Sequence, residues 1–147
     1  MKKILLILVL LLTSNLLYAG EIKLSCDITI NRQYSTGVRE NRKERVILVV
    51  TETQDFLSII PTANNSYIPG VSSLQRENKI IFNNSNENVW SVTNKGTLDG
   101  KTYEQEIQID RNTGQIFIQN DMTIGKDFVD DRGTGICEKI DIKKKKF

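Results

Sequence analysis

Apolar and polar residues alternate between Trp90 and Ile124, and the rest of the chain is organised around that stretch. Two turns divide it into three antiparallel strands. Asp99-Gly100 favours a two-residue type I′ turn, because both central positions need positive φ. Further on, Asp110 can accept backbone N–H bonds and Gly114 can take the left-handed conformation, which predicts a four-residue loop from Arg111 to Gly114. Each turn fixes a register. The first sets Val92 against Ile107 and Trp90 against Ile109. The second sets Ile109 against Ile116 and Ile107 against Ile118. Both registers put Trp90, Val92, Ile107, Ile109, Ile116 and Ile118 on one face, and a one-residue slip in either would scatter them. The opposite face carries Ser91, Thr93, Glu104, Glu106, Gln108, Gln119 and Asp121, interrupted only by Phe117. One dry face and one wet face is the pattern of an antiparallel sheet.

The same reading extends along the chain. Ile22, Leu24, Cys26, Ile28 and Ile30 alternate with polar residues from Glu21 to Asn31. Arg45 to Thr51 is apolar on both parities, which predicts a strand at least partly covered on both sides. Phe56 to Ile60 is a strand ended by Pro61. Lys79 to Phe82 and Ile136 to Ile142 complete the set. The last is awkward: Cys137 should face inward, yet Ile136, Ile140 and Ile142 have the other parity, so a bulge near Glu138 is expected. Between these lie a basic polar connection (Arg32 to Lys43), a long loop from Thr62 to Asn78, an Asn/Ser/Glu tract (Asn83 to Asn88) and a polar, acidic segment (Gly125 to Gly135). The long loop is expected to hold a short extended piece at Tyr67-Ile68, or one helical turn over Leu74 to Glu77 capped by Ser73. The expected fold is all-β. About eight antiparallel strands (21–31, 45–52, 56–61, 79–83, 89–98, 101–109, 115–124 and 135–142) form a small up-and-down, lipocalin-like barrel with one disulfide. A two-sheet sandwich is the alternative.

Composition adds an address. Lys2 and Lys3, the aliphatic run Ile4 to Leu12 and the small residue Ala19 read as a secretory signal over residues 1–19, cleaved near Ala19. That leaves a single β domain over 20–142 and a basic tail over 143–147. The whole chain carries 20 basic and 18 acidic residues. Losing Lys2 and Lys3 leaves an even balance, which argues against a nucleic-acid partner. Export makes a disulfide between Cys26 and Cys137 the default. It would close a loop of roughly 110 residues, worth about 4–5 kcal/mol in the chain-entropy model.

Candidate chemistry is sparse. The chain has no histidine, which removes the usual general base and the commonest transition-metal ligand. No Gly-rich phosphate loop and no Gly-x-Ser-x-Gly elbow occurs. No cofactor and no enzymatic activity is expected. The registers place Asn94, Gln105 and Asn120 in one row across the dry face, with Gly96, Tyr103 and Met122 in the next. Three amides on an apolar face need partners. Either the row lies near the sheet's open end or the amides satisfy one another as a ladder, or with Trp90 and Tyr103 they line a polar-floored cavity that holds a small apolar or amphipathic ligand. Asp127, Asp130 and Asp131, with Gly133 and Gly135, offer a weak oxygen-rich Ca²⁺ candidate. Glu104 and Glu106 share a strand face and are the candidate pair for a carboxylate-based hydrolase. The lysine tail is the candidate for contact with an anionic membrane surface.

The Ile107-Gln108-Ile109-Asp110-Arg111-Asn112-Thr113-Gly114 hairpin, followed by Gly135-Ile136-Cys137, resembles small uncharacterised exported β proteins of Gram-negative bacteria. Those carry an early Cys, an Asp-Arg-x-Thr-Gly hairpin and a terminal Gly-x-Cys. The resemblance implies a periplasmic setting and no activity. The function expected is a non-enzymatic binding or protein-interaction module, with a small ligand or a periplasmic protein as partner.

Overall fold

Alternation of the kind seen in the sequence lets each strand bury one face, and the chain uses it to wrap a single sheet around one core. The computed structural model describes residues 20–63, 67–73 and 79–140. The expected signal, the basic tail and the turn at Leu74–Glu77 lie outside the described residues. Among the described residues nine strands are formed: β1 (Gly20–Tyr34), β2 (Arg39–Glu52), β3 (Leu57–Pro61), β4 (Val71–Ser72), β5 (Lys79–Asn83), β6 (Val89–Leu98), β7 (Lys101–Asp110), β8 (Gln115–Ile124) and β9 (Asp127–Lys139). Their order is β4-β3-β2-β1-β9-β8-β7-β6-β5, every neighbour antiparallel. Two meanders, β1 to β4 and β5 to β9, are joined where β9 pairs with β1. Only β4 and β5 lack a ladder between them, so the sheet is a nearly closed up-and-down barrel rather than a sandwich. No helix occurs among the described residues.

Both hairpins of the organising stretch have the registers their turns dictate. Val92 faces Ile107, Trp90 faces Ile109, and Ile109 and Ile107 face Ile116 and Ile118. All six side chains are buried. Asp99 and Gly100 both have positive φ, at 51° and 74°. Asp110 Oδ1 accepts from the backbone N–H groups of Asn112 and Thr113, and these bonds hold its carboxyl below the usual carboxylate range. Gly114, at φ 72°, sits so close to the Cys137 carbonyl that a Cβ would lie 2.2 Å from its oxygen. The position therefore excludes any side chain on two grounds.

The disulfide forms between Cys26 and Cys137, which are direct partners in the β1–β9 ladder. Such a bond belongs to an oxidising, extracellular-type environment. No helix among the described residues is long and apolar enough to cross a membrane.

Three expectations need correction. The segments read as connections, Arg32 to Lys43 and Gly125 to Gly135, are largely strand. β1 runs on to Tyr34, β2 starts at Arg39 and β9 starts at Asp127. Their ladders are held by ion pairs and backbone bonds where apolar alternation is missing. Second, β9 pairs with β1 and β8 in unbroken registers, so there is no bulge near Glu138. Ile136 simply faces outward, 47% exposed. Third, the short extended piece of the long loop is at Val71–Ser72, where β4 pairs with β3, and makes a ninth strand. On the outward side of β2, Val49 is half-buried and Ile47 is exposed, so the cover there is partial, as expected.

Gly133 and Gly135 occupy inward positions within β9. A Cβ on Gly135 would stand 2.1 Å from the Asp27 carbonyl oxygen, and one on Gly133 would press on Ile118 and Ile28. Their lack of side chains lets β9 lie close against β1 where the two meanders meet.

Candidate functional site

Inward-facing residues change character along the barrel axis. Nearest the disulfide end, the row Trp90, Ile109, Ile116, Gly135, Ile28 is buried and apolar where it has side chains. The next row, Val92, Ile107, Ile118, Gly133, Ile30, is the same. Then the interior turns polar: Asn94, Gln105, Asn120, Asp131 and Arg32 face one another in turn across β6, β7, β8, β9 and β1. Beyond them come Gly96, Tyr103, Met122, Val129 and Tyr34, all half-buried. The rim past these is exposed: Leu98 at 65%, Val38 at 54% and Ile124 at 47%. The end opposite the disulfide is therefore open, with apolar walls above a polar layer.

That layer is a continuous hydrogen-bonded chain. Gln105 Nε2 donates to Asn120 Oδ1 at 3.2 Å, and Asn120 Nδ2 donates to Asp131 Oδ2 at 3.1 Å. Asp131, fully buried, receives both Nε and Nη2 of Arg32, at 2.6 and 2.7 Å. This two-pronged, charge-assisted geometry is the strong form of the arginine–carboxylate pair. The Arg32 guanidinium lies 3.8 Å from the centroid of the Tyr67 ring, and the hydroxyls of Tyr67 and Tyr34 both donate to Glu40, each at 3.3 Å. Asn94 stands apart. With its amide set so that both ends find partners, it donates to the Ser72 carbonyl at 3.0 Å and accepts from Lys79 Nζ at 3.2 Å. It bridges the seam between β4 and β5.

The five residues singled out in the sequence thus divide. Gln105, Asn120 and Tyr103 belong to the open end. Asn94 is spent on the seam. Trp90 is a core residue at the closed end: its Nε1 donates to Glu52 Oε2 at 2.9 Å, and Arg111, ion-paired to the same Glu52, stacks over its ring at 4.7 Å. Arg32, Asp131 and Tyr67 were missed as parts of the layer. The weak Ca²⁺ candidate does not assemble. Asp130 and Asp131 are adjacent on a strand and point to opposite faces, while Asp127 accepts from Ser35 Oγ. Among the described residues no three acidic, histidine or cysteine side chains converge as a metal site.

The outer face is mostly charged. Lys95 pairs with Glu104 at 2.6 Å, Glu106 accepts from Gln108 at 2.7 Å, and a shallow groove runs between Phe117 and Ile136. Asp121 and Asp130 are direct cross-strand partners, both paired to Arg132. Burial and then the charge of Asp121 push Asp130 above its ordinary value of 3.8. Between that value and the raised one, the folded chain holds more proton than the unfolded chain. Stability from this group therefore falls as pH rises through that window. Asp130→Asn is expected to gain about 0.5 kcal/mol at pH 7, the scale of a solvent-screened surface charge. The gain should vanish below the window. Urea melts at several pH values check both halves.

Comparison with protein-family models, with curated proteins and with solved structures finds no significant match.

Proposed function

We propose that this protein is an exported, non-enzymatic binding module whose open barrel end takes a small amphipathic ligand. One observation carries the reading: the half-buried Tyr34, Tyr103, Met122 and Val129 wall stands above a polar floor made by Gln105, Asn120, Asp131 and Arg32. A ligand's apolar body would lie against the wall and its polar group would reach the floor. Two groups there accept or donate nothing to the described residues, the Gln105 carbonyl oxygen and the Tyr103 hydroxyl. The setting is an oxidising compartment, the periplasm or outside the cell, reached by the signal over residues 1–19. The disulfide and the resemblance to exported β proteins support it. The hydrolase alternative draws less support, because Glu104 and Glu106 lie on the outer face and are bound to Lys95 and Gln108.

The test uses anilinonaphthalene sulfonate, a fluorescent amphiphile, as probe. Met122→Asp, which puts a charge in the wall, is expected to weaken probe binding at least tenfold with the melting temperature little changed. Phe117→Asp, on the outer groove, should leave binding intact. The reverse pattern would move the binding surface to the outer groove and overturn the reading. Native mass spectrometry of protein taken from its own host should also show a co-purifying small mass.

A further inference from the structure

A closed barrel has no sheet edges to defend, but this one stops short of closure, and the strands left at its ends are β4 and the longer β5. β4 packs across β6 and β7 and makes no ladder with β5. The direction of β5's backbone groups follows from one bond. Asn84 N donates to the Ser91 carbonyl at 3.0 Å, and Asn84 continues the β5–β6 register. Hydrogen-bonded pairs alternate in an antiparallel ladder, so Ile80 and Phe82 spend their backbone groups on β6. Those of Ile81 and Asn83 point away from it, to an edge that no strand pairs with among the described residues. On the outer face, Ile80 is 60% exposed and Phe82 46%. The middle of the strand has no proline, no charge and no bulge, the devices that usually block an edge.

We propose that two copies of this chain join through β5, edge to edge and antiparallel, about a two-fold axis at Ile81. The five-residue strand is self-complementary in that register. Ile81 meets Ile81 of the second copy as a hydrogen-bonded pair. Ile80 then falls opposite Phe82 of the second copy, and Phe82 opposite its Ile80, giving a four-residue apolar cluster across the axis. Cross-strand pairs of aromatic and β-branched residues are among the stabilising ones. Lys79 falls opposite Asn83, so no like charges meet. A contact that uses the same patch on both copies closes on itself and yields a dimer, not a fibre. A foreign strand would find the same edge, but only a second copy is assured this match of side chains.

The register makes the test specific. Ile80 and Phe82 of different copies form a non-hydrogen-bonded pair, the closer kind. Under mild oxidation, a mixture of Ile80→Cys and Phe82→Cys proteins is expected to form an intermolecular disulfide, while each variant alone does not. Light scattering of the unaltered protein should give twice the chain mass. Phe82→Lys, whose side chain lies outside the core, should restore the single mass without lowering the melting temperature. A single mass for the unaltered protein at all concentrations would overturn the proposal. So would self-cross-linking of either cysteine variant, a dimer that persists in Phe82→Lys, or a monomer carrying a foreign peptide along β5.

Discussion

Replacing Cys26 and Cys137 together by alanine is expected to lower stability by about 4–5 kcal/mol, the largest effect of any substitution considered. The two residues are 111 positions apart, so the bond ties nearly the whole domain into one loop. Without it the unfolded chain regains the entropy of that loop. The folded chain loses little, because the β1–β9 ladder continues on both sides of the bond. For a domain of this size the loss corresponds to a fall in melting temperature on the order of 15 °C. The expected outcome is a protein with an unchanged far-ultraviolet spectrum at low temperature and a much earlier transition on heating. Reduced wild-type protein should melt alongside the double variant. A fall of only two or three degrees would mean that the meeting of the two meanders is secured by the ladder alone.

Where the sequence could be read, it was read through turns. Asp99-Gly100 and the Asp110 to Gly114 loop each tolerate one geometry, and that geometry carries ten-residue strands with it. The amide row and the row of Gly96, Tyr103 and Met122 followed from the same counting. What escaped was strand that lacks apolar alternation. Arg32, Arg39, Asp130 and Asp131 look like loop residues, because charged residues on both parities bury no apolar face. Arg32, Asp130 and Asp131 sit in strands with their charges matched, as in the pairs of Arg32 with Asp131 and of Arg132 with Asp121 and Asp130, while Arg39 follows the β1–β2 ladder opposite Gln33. Gly133 and Gly135 look like turn residues for a similar reason, yet they mark a close approach of β9 to its neighbours.

One signal for the missed layer was present. Once Cys26 is set opposite Cys137 in an antiparallel pair, the residue six places after the first cysteine faces the residue six places before the second. Those are Arg32 and Asp131. The disulfide would have set Arg32 against Asp131, and the β8–β9 register sets that pair beside the amide row. Tyr67 and the seam contact of Asn94 had no such signal. They depend on how the irregular connection between β3 and β5 folds back, and no turn chemistry in it fixes a register. The surplus parity of Ile136 was likewise unreadable, since an outward isoleucine costs little and needs no bulge to explain it.

Asp131→Ala is expected to destabilise the fold by about 3 kcal/mol, the lower end of the range for breaking a buried ion pair. The carboxylate is fully buried and takes two bonds from Arg32 and one from Asn120. Removing it leaves the Arg32 guanidinium without its carboxylate against the Tyr67 ring and takes the acceptor from the Asn120 amide. The loss stays at the lower end because 14% of the Arg32 side chain is exposed, so the cation can turn partly toward water. Arg32→Met combined with Asp131→Ala should recover much of the loss, since no charge is then left unpaired; buried pairs are costly to halve and cheap to replace whole. Urea unfolding of the parent, both single variants and the double variant gives the coupling directly. A single variant within about 1 kcal/mol of the parent would mean that water reaches this layer from the open end and screens it. The polar floor would then be a wet surface, and its order would have to come from the strands beneath it rather than from its own bonds.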